Sequence, residues 1–393
     1  KWTIGASFYN ESDLKNQPLQ QSLSTDQVQI LSTAGDDQAL MNAPSAFLEP
    51  YNENRILYKK IQMNGLEVFE FSTNADEELY LVNFTLVGSQ QGNYIITSSD
   101  AISNIYEYTS PVNGVKQGDY EPIVQLVAPV KLQLAVVNGS FSPNENTSVN
   151  FELAASKNDL NLYSSLEDQD NTGVATQLSI AHQLLKPSQL WKLNLTTDID
   201  YIQKNFRNLE GLYNPEFNRD WNLEQPISNQ LISDLGDQVF IKSTAQLSHP
   251  EIGQFNYKFQ RLNYNENYEG QRHVVSAKLH LDRFHLFSSS SILETDAIGS
   301  NSLFYRSNTQ LKYSYNKGWT GVKFSTEHNE KKELVSNVLD PVSQKFRSYE
   351  VFKGLGDSTK VFAKIGFIYR VNDSLQNNRL TKVNTSNTYY IDS

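Results

Sequence analysis

The sequence predicts an all-β protein, an antiparallel sheet of long strands that reads as a transmembrane β-barrel or part of one, with a small β module inserted into it. Three observations carry this expectation. Apolar and polar residues alternate over runs of about 9 to 13 residues, the length of strands tilted across a bilayer and above the soluble mode of about 5 to 6. Aromatic residues gather at the ends of these runs, as in an interfacial belt. Short turns such as residues 316–318 contrast with long polar connections such as residues 207–237, the asymmetry of outer-membrane barrels. A soluble sheet with one wet face also alternates, so length, belt and loop asymmetry decide the reading.

Composition agrees. The 393 residues are only 38% hydrophobic, yet include 21 Tyr, 20 Phe and 4 Trp. Disorder does not fit such aromatic content, whereas a barrel with a polar interior needs only half of each strand to be apolar. A net charge of −11 argues against nucleic-acid partners. The absence of cysteine rules out disulfides, thiolate metal sites and cysteine nucleophiles. No run approaches the length of a transmembrane helix, and no secretory signal opens the chain. The chain starts inside a strand, so the expectation is of a fragment or mature form of something longer.

In order, residues 1–49 form a first strand and a long polar loop. Trp2, Ile4, Ala6 and Phe8 share one face of that strand. Ser24, Thr25, Asp26 and Gln27 ahead of Val28, Ile30 and Leu31 have the pattern of a short helix start. Residues 50–130 carry shorter runs with Pro111, Pro122 and Pro129 between them, a small sheet or sandwich module. Residues 131–393 are long antiparallel hairpins, the barrel wall. There Leu132, Leu134 and Val136 alternate; so do Val149, Phe151, Leu153 and Ala155, and then Val361, Ala363, Ile365, Phe367, Tyr369 and Val371.

The clearest hairpin spans residues 302–328. Leu303, Tyr305, Leu311, Tyr313 and Tyr315 fall on one face of its first arm, and Val322 and Phe324 on the matching face of its second. Asn316-Lys317-Gly318 predicts a three-residue connection with a left-handed glycine at its end. Tyr313, Tyr315 and Trp319 supply the aromatic end. Phe304, Phe362 and Ile368 fall on the polar side, against the pattern.

The phrases KWTIGASFYNESDL, GNYIIT, GDYEPI, SLEDQDNTGVA and EFNRDWNL together resemble large, poorly characterised outer-membrane and surface β-barrel proteins of Bacteroidota. The resemblance implies an outer-membrane or cell-surface setting and work in secretion, uptake, transport or surface assembly. It transfers no functional residues.

Chemical motifs are sparse, and no catalytic, cofactor-binding or metal-ligating residue is assigned. Residues 354–360 (GLGDSTK) have the wrong spacing for a phosphate loop and precede a strand instead of a helix, so they read as a hairpin turn. His280 and His285, five apart, would face opposite sides of one strand. Residues 168–173 (DQDNTG) have the oxygen-rich look of a calcium loop but lack the remaining acidic ligand. Tyr213, Phe217, Trp221 and Asn222 sit in a loop that either stacks on a sugar or partner, or folds over itself. The expectation is a non-enzymatic outer-membrane scaffold or passage. Its partners are the lipid bilayer and proteins of a surface or secretion assembly. The alternatives are a soluble extracellular β-rich adhesin or glycan-binding protein using residues 213–221, and, behind it, a β-rich hydrolase.

Overall fold

Asparagine sets several of the hairpins. Asn316, Asn377 and Asn378 all adopt positive φ, a region Asn tolerates because its short side chain bonds locally. In the computed structural model, which describes residues 1–15, 22–63, 65–99, 104–185, 189–223, 235–356 and 362–392, these turns link strands in register. The chain forms β1 (Trp2–Ser12), then ten short strands: β2 (Asn42–Pro44), β3 (Ala46–Leu48), β4 (Tyr58–Met63), β5 (Leu66–Phe71), β6 (Leu79–Val82), β7 (Thr85–Leu86), β8 (Tyr94–Ser99), β9 (Asn104–Tyr108), β10 (Tyr120–Glu121) and β11 (Ile123–Gln125). Long strands follow: β12 (Lys131–Asn144), β13 (Thr147–Asp159), β14 (Thr172–Gln183), β15 (Lys192–Ile202), β16 (Gln238–His249), β17 (Gly253–Tyr264), β18 (Tyr268–Leu281), β19 (Phe284–Ala297), β20 (Ser300–Tyr315), β21 (Gly318–Glu333), β22 (Gln344–Gly356), β23 (Phe362–Gln376) and β24 (Arg379–Asp392).

β1 and β12 to β24 make one 14-stranded sheet in sequential order, with β1 and β24 at its edges. The fold is therefore all-β with a long-stranded antiparallel sheet, and among the described residues its two edges do not pair with each other. Tyr315 pairs with Gly318, so the connection has two residues, and the left-handed one is Asn316, not the glycine. Val361 and residues 357–360 of the GLGDSTK stretch lie outside the described residues.

Up-and-down order places every second connection at the same end of the sheet. One end holds the connections 144–147, 249–253, 281–284 and 315–318, all short. The other holds the insertion after β1, the link from β13 to β14, residues 203–237 and residues 334–343. The longest connections thus share one end, which also holds the short turns 264–268, 297–300 and 376–379, while the opposite end also carries the links 183–192 and 356–362.

Register assigns two faces to the wall. One row runs Leu279, Leu286, Leu311, Val322, Val351, Phe367 and Tyr389 across seven strands, β18 to β24. Four of the seven are exposed, Leu311 at 40%, Val322 at 52%, Val351 at 57% and Tyr389 at 80%, and Leu279, Leu286 and Phe367 are half-buried. The adjacent row on the opposite face runs Lys278, Phe287, Gln310, Lys323, Glu350, Ile368 and Thr388. Towards the long-connection end the apolar face changes to Arg261, Gln271, Glu294 and, past Leu303, Glu330. Aromatic stacks mark the short-turn end, with Trp2 on Phe141 at 4.2 Å and Phe284 on Tyr313 at 4.9 Å. Trp319 does not join them. It is on the other face, covering Gly354, where an added Cβ would fall 2.2 Å from the indole. Leu134 and Val136 likewise lie on the face of Glu152 and Gln177, opposite to that of Phe151.

A second compact unit comprises Asn10–Leu132 and Asn158–Asn171, so it takes in residues on both sides of the 50–130 stretch and a segment beyond β13. Helix α1 (Thr25–Ala34) starts where the capping residues predict: Ser24 caps Gln27, and the Gln27 side chain returns to the Ser24 N–H. Leu31 and Ala34 of α1 pack with Met41, Ala43, Leu126 and Ala128. A second core joins Tyr58, Phe69, Val82 and Tyr94 around Phe84. Both buried tyrosine hydroxyls accept backbone hydrogen bonds, Tyr94 from Phe69 at 2.8 Å and Tyr58 from Tyr106 at 3.1 Å. Burial pushes the Tyr94 hydroxyl up to about 12. Among the described residues no helix is long and apolar enough to cross a membrane.

Candidate functional site

Residues 213–223 of the connection after β15 lie on the polar face of the wall. Helix α2 (Phe217–Asp220) lies within it. Tyr213 stacks on Phe217 at 3.9 Å, and Trp221 meets Phe240 edge-on at 5.4 Å. Leu223, Leu262, Tyr264, Tyr268, Leu293 and Phe304 complete the cluster. Phe304 breaks the alternation for this reason: it is a cover residue for the folded-in loop, 3% exposed. Trp221 is 2% exposed and Phe217 8%, so neither presents a stacking surface to a sugar or partner. The loop folds over itself and its wall.

Polar bonds fix this position. Tyr268 donates to the Trp221 carbonyl at 2.5 Å, and Tyr264 to Gln238 at 2.8 Å. Gln238 also donates to the Tyr213 hydroxyl, which burial pushes up to about 12. Asn222 and Asn329 exchange side-chain amide bonds at 3.0 and 2.9 Å, and Asn222 also reaches Ser302 at 2.8 Å.

Charges meet at the tip of the loop. The Asp220 carboxylate takes Arg306 at 2.7 Å through one oxygen and Arg272 at 3.4 Å through the other. Arg219 chelates Glu327 of β21 at 2.9 and 3.0 Å. Hydrogen bonding to Glu327 holds the Arg219 guanidinium above its ordinary range. Beside these ion pairs lies a cavity of about 720 Å³. Its lining includes Arg219, Arg272, Arg306, Arg370, Ser325 and Asn308. A second cavity, of about 810 Å³, lies on the other side of the loop, lined among others by Glu152, Gln177, Asp200 and Lys242, and Arg272 reaches both. There Lys242 pairs with Asp200 at 3.0 Å.

The arginines are too far apart in sequence to signal a site. Only the facing of Arg306, Lys364 and Arg370, all on the polar side of their runs, is readable in advance. His280 and His285 do not face opposite sides. They end two strands joined by a two-residue turn, pair directly, and bring their Nδ1 atoms to 2.7 Å. Of residues 168–173, Asp168–Asp170 form a 3-10 turn entered through left-handed Glu167, Asn171 donates to Asp168 at 2.9 Å, and Thr172 and Gly173 open β14. Among the described residues no three metal-ligating side chains converge. No protein-family model and no curated protein matches the chain.

Proposed function

We propose that the 14-stranded sheet is the wall of an outer-membrane β-barrel, a non-enzymatic scaffold or passage whose polar face lines an interior partly filled by residues 203–223. The observation that carries this is the apolar row Leu279, Leu286, Leu311, Val322, Val351, Phe367 and Tyr389, four of them exposed, backed on the opposite face by Lys278, Gln310, Lys323 and Glu350 with Phe287, Ile368 and Thr388 among them. An exposed apolar surface of that extent is costly in water and neutral in lipid. On β20 the apolar face runs from Leu303 to Tyr315, about 40 Å of strand at the usual rise. Tilted by about 40°, that is about 30 Å along the membrane normal, close to a hydrocarbon core. The end that carries the longest connections then faces the exterior, where they meet partner proteins of a surface or secretion assembly, and the opposite end faces the periplasm.

Closure follows by pairing β1 with β24. In a 14-stranded up-and-down order these edges run antiparallel, and closure removes both free edges. Because the chain has no cysteine, introduced pairs report cleanly. Ala6→Cys combined in turn with Cys at Thr385, Asn387, Tyr389 or Ile391 gives one efficient disulfide in lipid vesicles. Purification of the chain as a monodisperse species without detergent would sink the membrane reading; a failure of all four pairs, with the protein in vesicles, would sink closure alone.

A further inference from the structure

The cation balance at the loop tip exceeds what the loop needs. Five arginines, Arg219, Arg272, Arg306, Arg347 and Arg370, line one cavity, whereas the carboxylates that pair with them are Asp220, Glu327 and Asp373, the last held by Arg347 at 2.7 Å. Glu327 is used by Arg219, and the single Asp220 is divided between Arg272 and Arg306, with the Arg272 contact long at 3.4 Å. The buried Nε of Arg272 has no hydrogen-bond partner among the described residues. Arg370 has no ion-pair partner there either, and its cross-strand neighbour Ser348 is a hydroxyl that also lines the cavity. Buried donors left unpaired are unfavourable, and guanidinium groups are forked donors shaped for oxyanions. The rest of the lining suits the body of such a ligand. Ser291, Asn308 and Ser325 offer hydroxyl and amide groups, and Phe287 and Phe346 offer apolar surface. A volume of about 720 Å³ is in the range of sites for small organic ligands and far beyond a bare ion.

We propose that this cavity binds a sugar-sized, hydroxylated anion, its oxyanion held by Arg272, Arg306 and Arg370, with Asp220 as the built-in competitor that the ligand displaces. The site lies on the polar face and does not rest on lipid covering the other one. A loop carboxylate that occupies two arginines is a tethered mimic of the ligand's charged group. Ligand entry frees Asp220 and loosens its loop from the wall.

Calorimetric titration of the full chain, in whichever detergent or buffer keeps it monodisperse, tests this with four probes: glucose 6-phosphate, glucuronate, inorganic phosphate and glucose. Binding of either sugar anion at least tenfold tighter than both phosphate and glucose is expected. Arg370→Gln, which breaks no ion pair seen among the described residues, weakens that binding at least tenfold. Asp220→Asn strengthens it severalfold, whereas a merely structural Asp220 would leave it unchanged or weaker. Tighter binding of inorganic phosphate than of either sugar anion would reduce the site to an adventitious ion site and overturn the proposal. So would equal binding of glucose, or sugar-anion binding indifferent to Arg370→Gln and Asp220→Asn.

Discussion

The wall and the inserted unit use the same aromatic residues in opposite ways. In the unit of short strands, Tyr58, Phe69 and Tyr94 lie inside, and the two tyrosine hydroxyls accept hydrogen bonds from backbone N–H groups. On the apolar face of the wall, Tyr349, Val351 and Tyr389 touch only their strand neighbours among the described residues and are 45%, 57% and 80% exposed. Strand length differs in parallel, from 2 to 6 residues in the unit to 11 to 16 in the wall. The unit buries its aromatics against one another, whereas the apolar face of the wall leaves them exposed. Under the barrel proposal, lipid is what covers them.

The strongest test of that contrast is Tyr58→Ala, at a residue 1% exposed. It should cost the unit about 3 to 5 kcal/mol, the range for emptying a buried aromatic site. All four tryptophans, Trp2, Trp191, Trp221 and Trp319, belong to the wall, so tryptophan fluorescence during urea unfolding reports the wall, and hydrogen exchange at α1 reports the unit. Tyr58→Ala should move only the second. A matching shift in fluorescence would show that the two units do not unfold separately.

Next in size is Leu311→Arg, which should cost the wall about 2 to 4 kcal/mol in lipid vesicles if the position is near mid-membrane. Its neighbour Lys312 lies on the opposite face, so Lys312→Ala should stay within about 0.5 kcal/mol. Equal tolerance of both would erase the distinction between faces.

The smallest effect concerns charge in the short-stranded unit. Burial, then the carboxylates of Asp159, Asp170, Asp168 and Glu167, push the Asp36 carboxyl from 3.8 up to about 6. The folded unit then holds this proton more tightly than the unfolded chain, so its stability falls as pH rises from about 4 to about 6 and levels off above. Asp36→Asn removes that loss. Melting of the unit should be little changed at pH 4 and stabilised by about 1 kcal/mol at pH 7.5, after allowance for solvent screening. A larger gain at pH 4 than at pH 7.5 would reverse the assignment.

Much of this architecture was legible because period-two alternation is a local property. Leu303, Leu311, Val322 and Phe324 share one face as their spacing requires, and Ser24 and Gln27 start a helix because capping needs only neighbours. What alternation could not supply was the sign of an exception. Phe304 looks like an error until residues 213–223 are placed on it, and Trp319 resembles its neighbours Tyr313 and Tyr315 until Gly354 is seen beneath it. The histidines misled because a five-residue spacing means opposite faces on one strand and a shared rung across a hairpin. The arginine cavity was invisible for a related reason, since Arg219, Arg272, Arg306 and Arg370 meet only through register summed over six strands.

Asn161 carries a consequence for how the chain matures. Its side-chain amide donates to the carbonyls of Leu31 and Gly35 at 2.8 and 2.6 Å, ending α1 from 130 and 126 residues away. The last turn of α1 is thus finished by a residue that emerges only after β12 and β13 have been made. During synthesis the helix end of the short-stranded unit stays open until the first wall hairpin has been made. Contacts of such sequence separation are slow to form, so the closing of α1 is a late step in the folding of its unit.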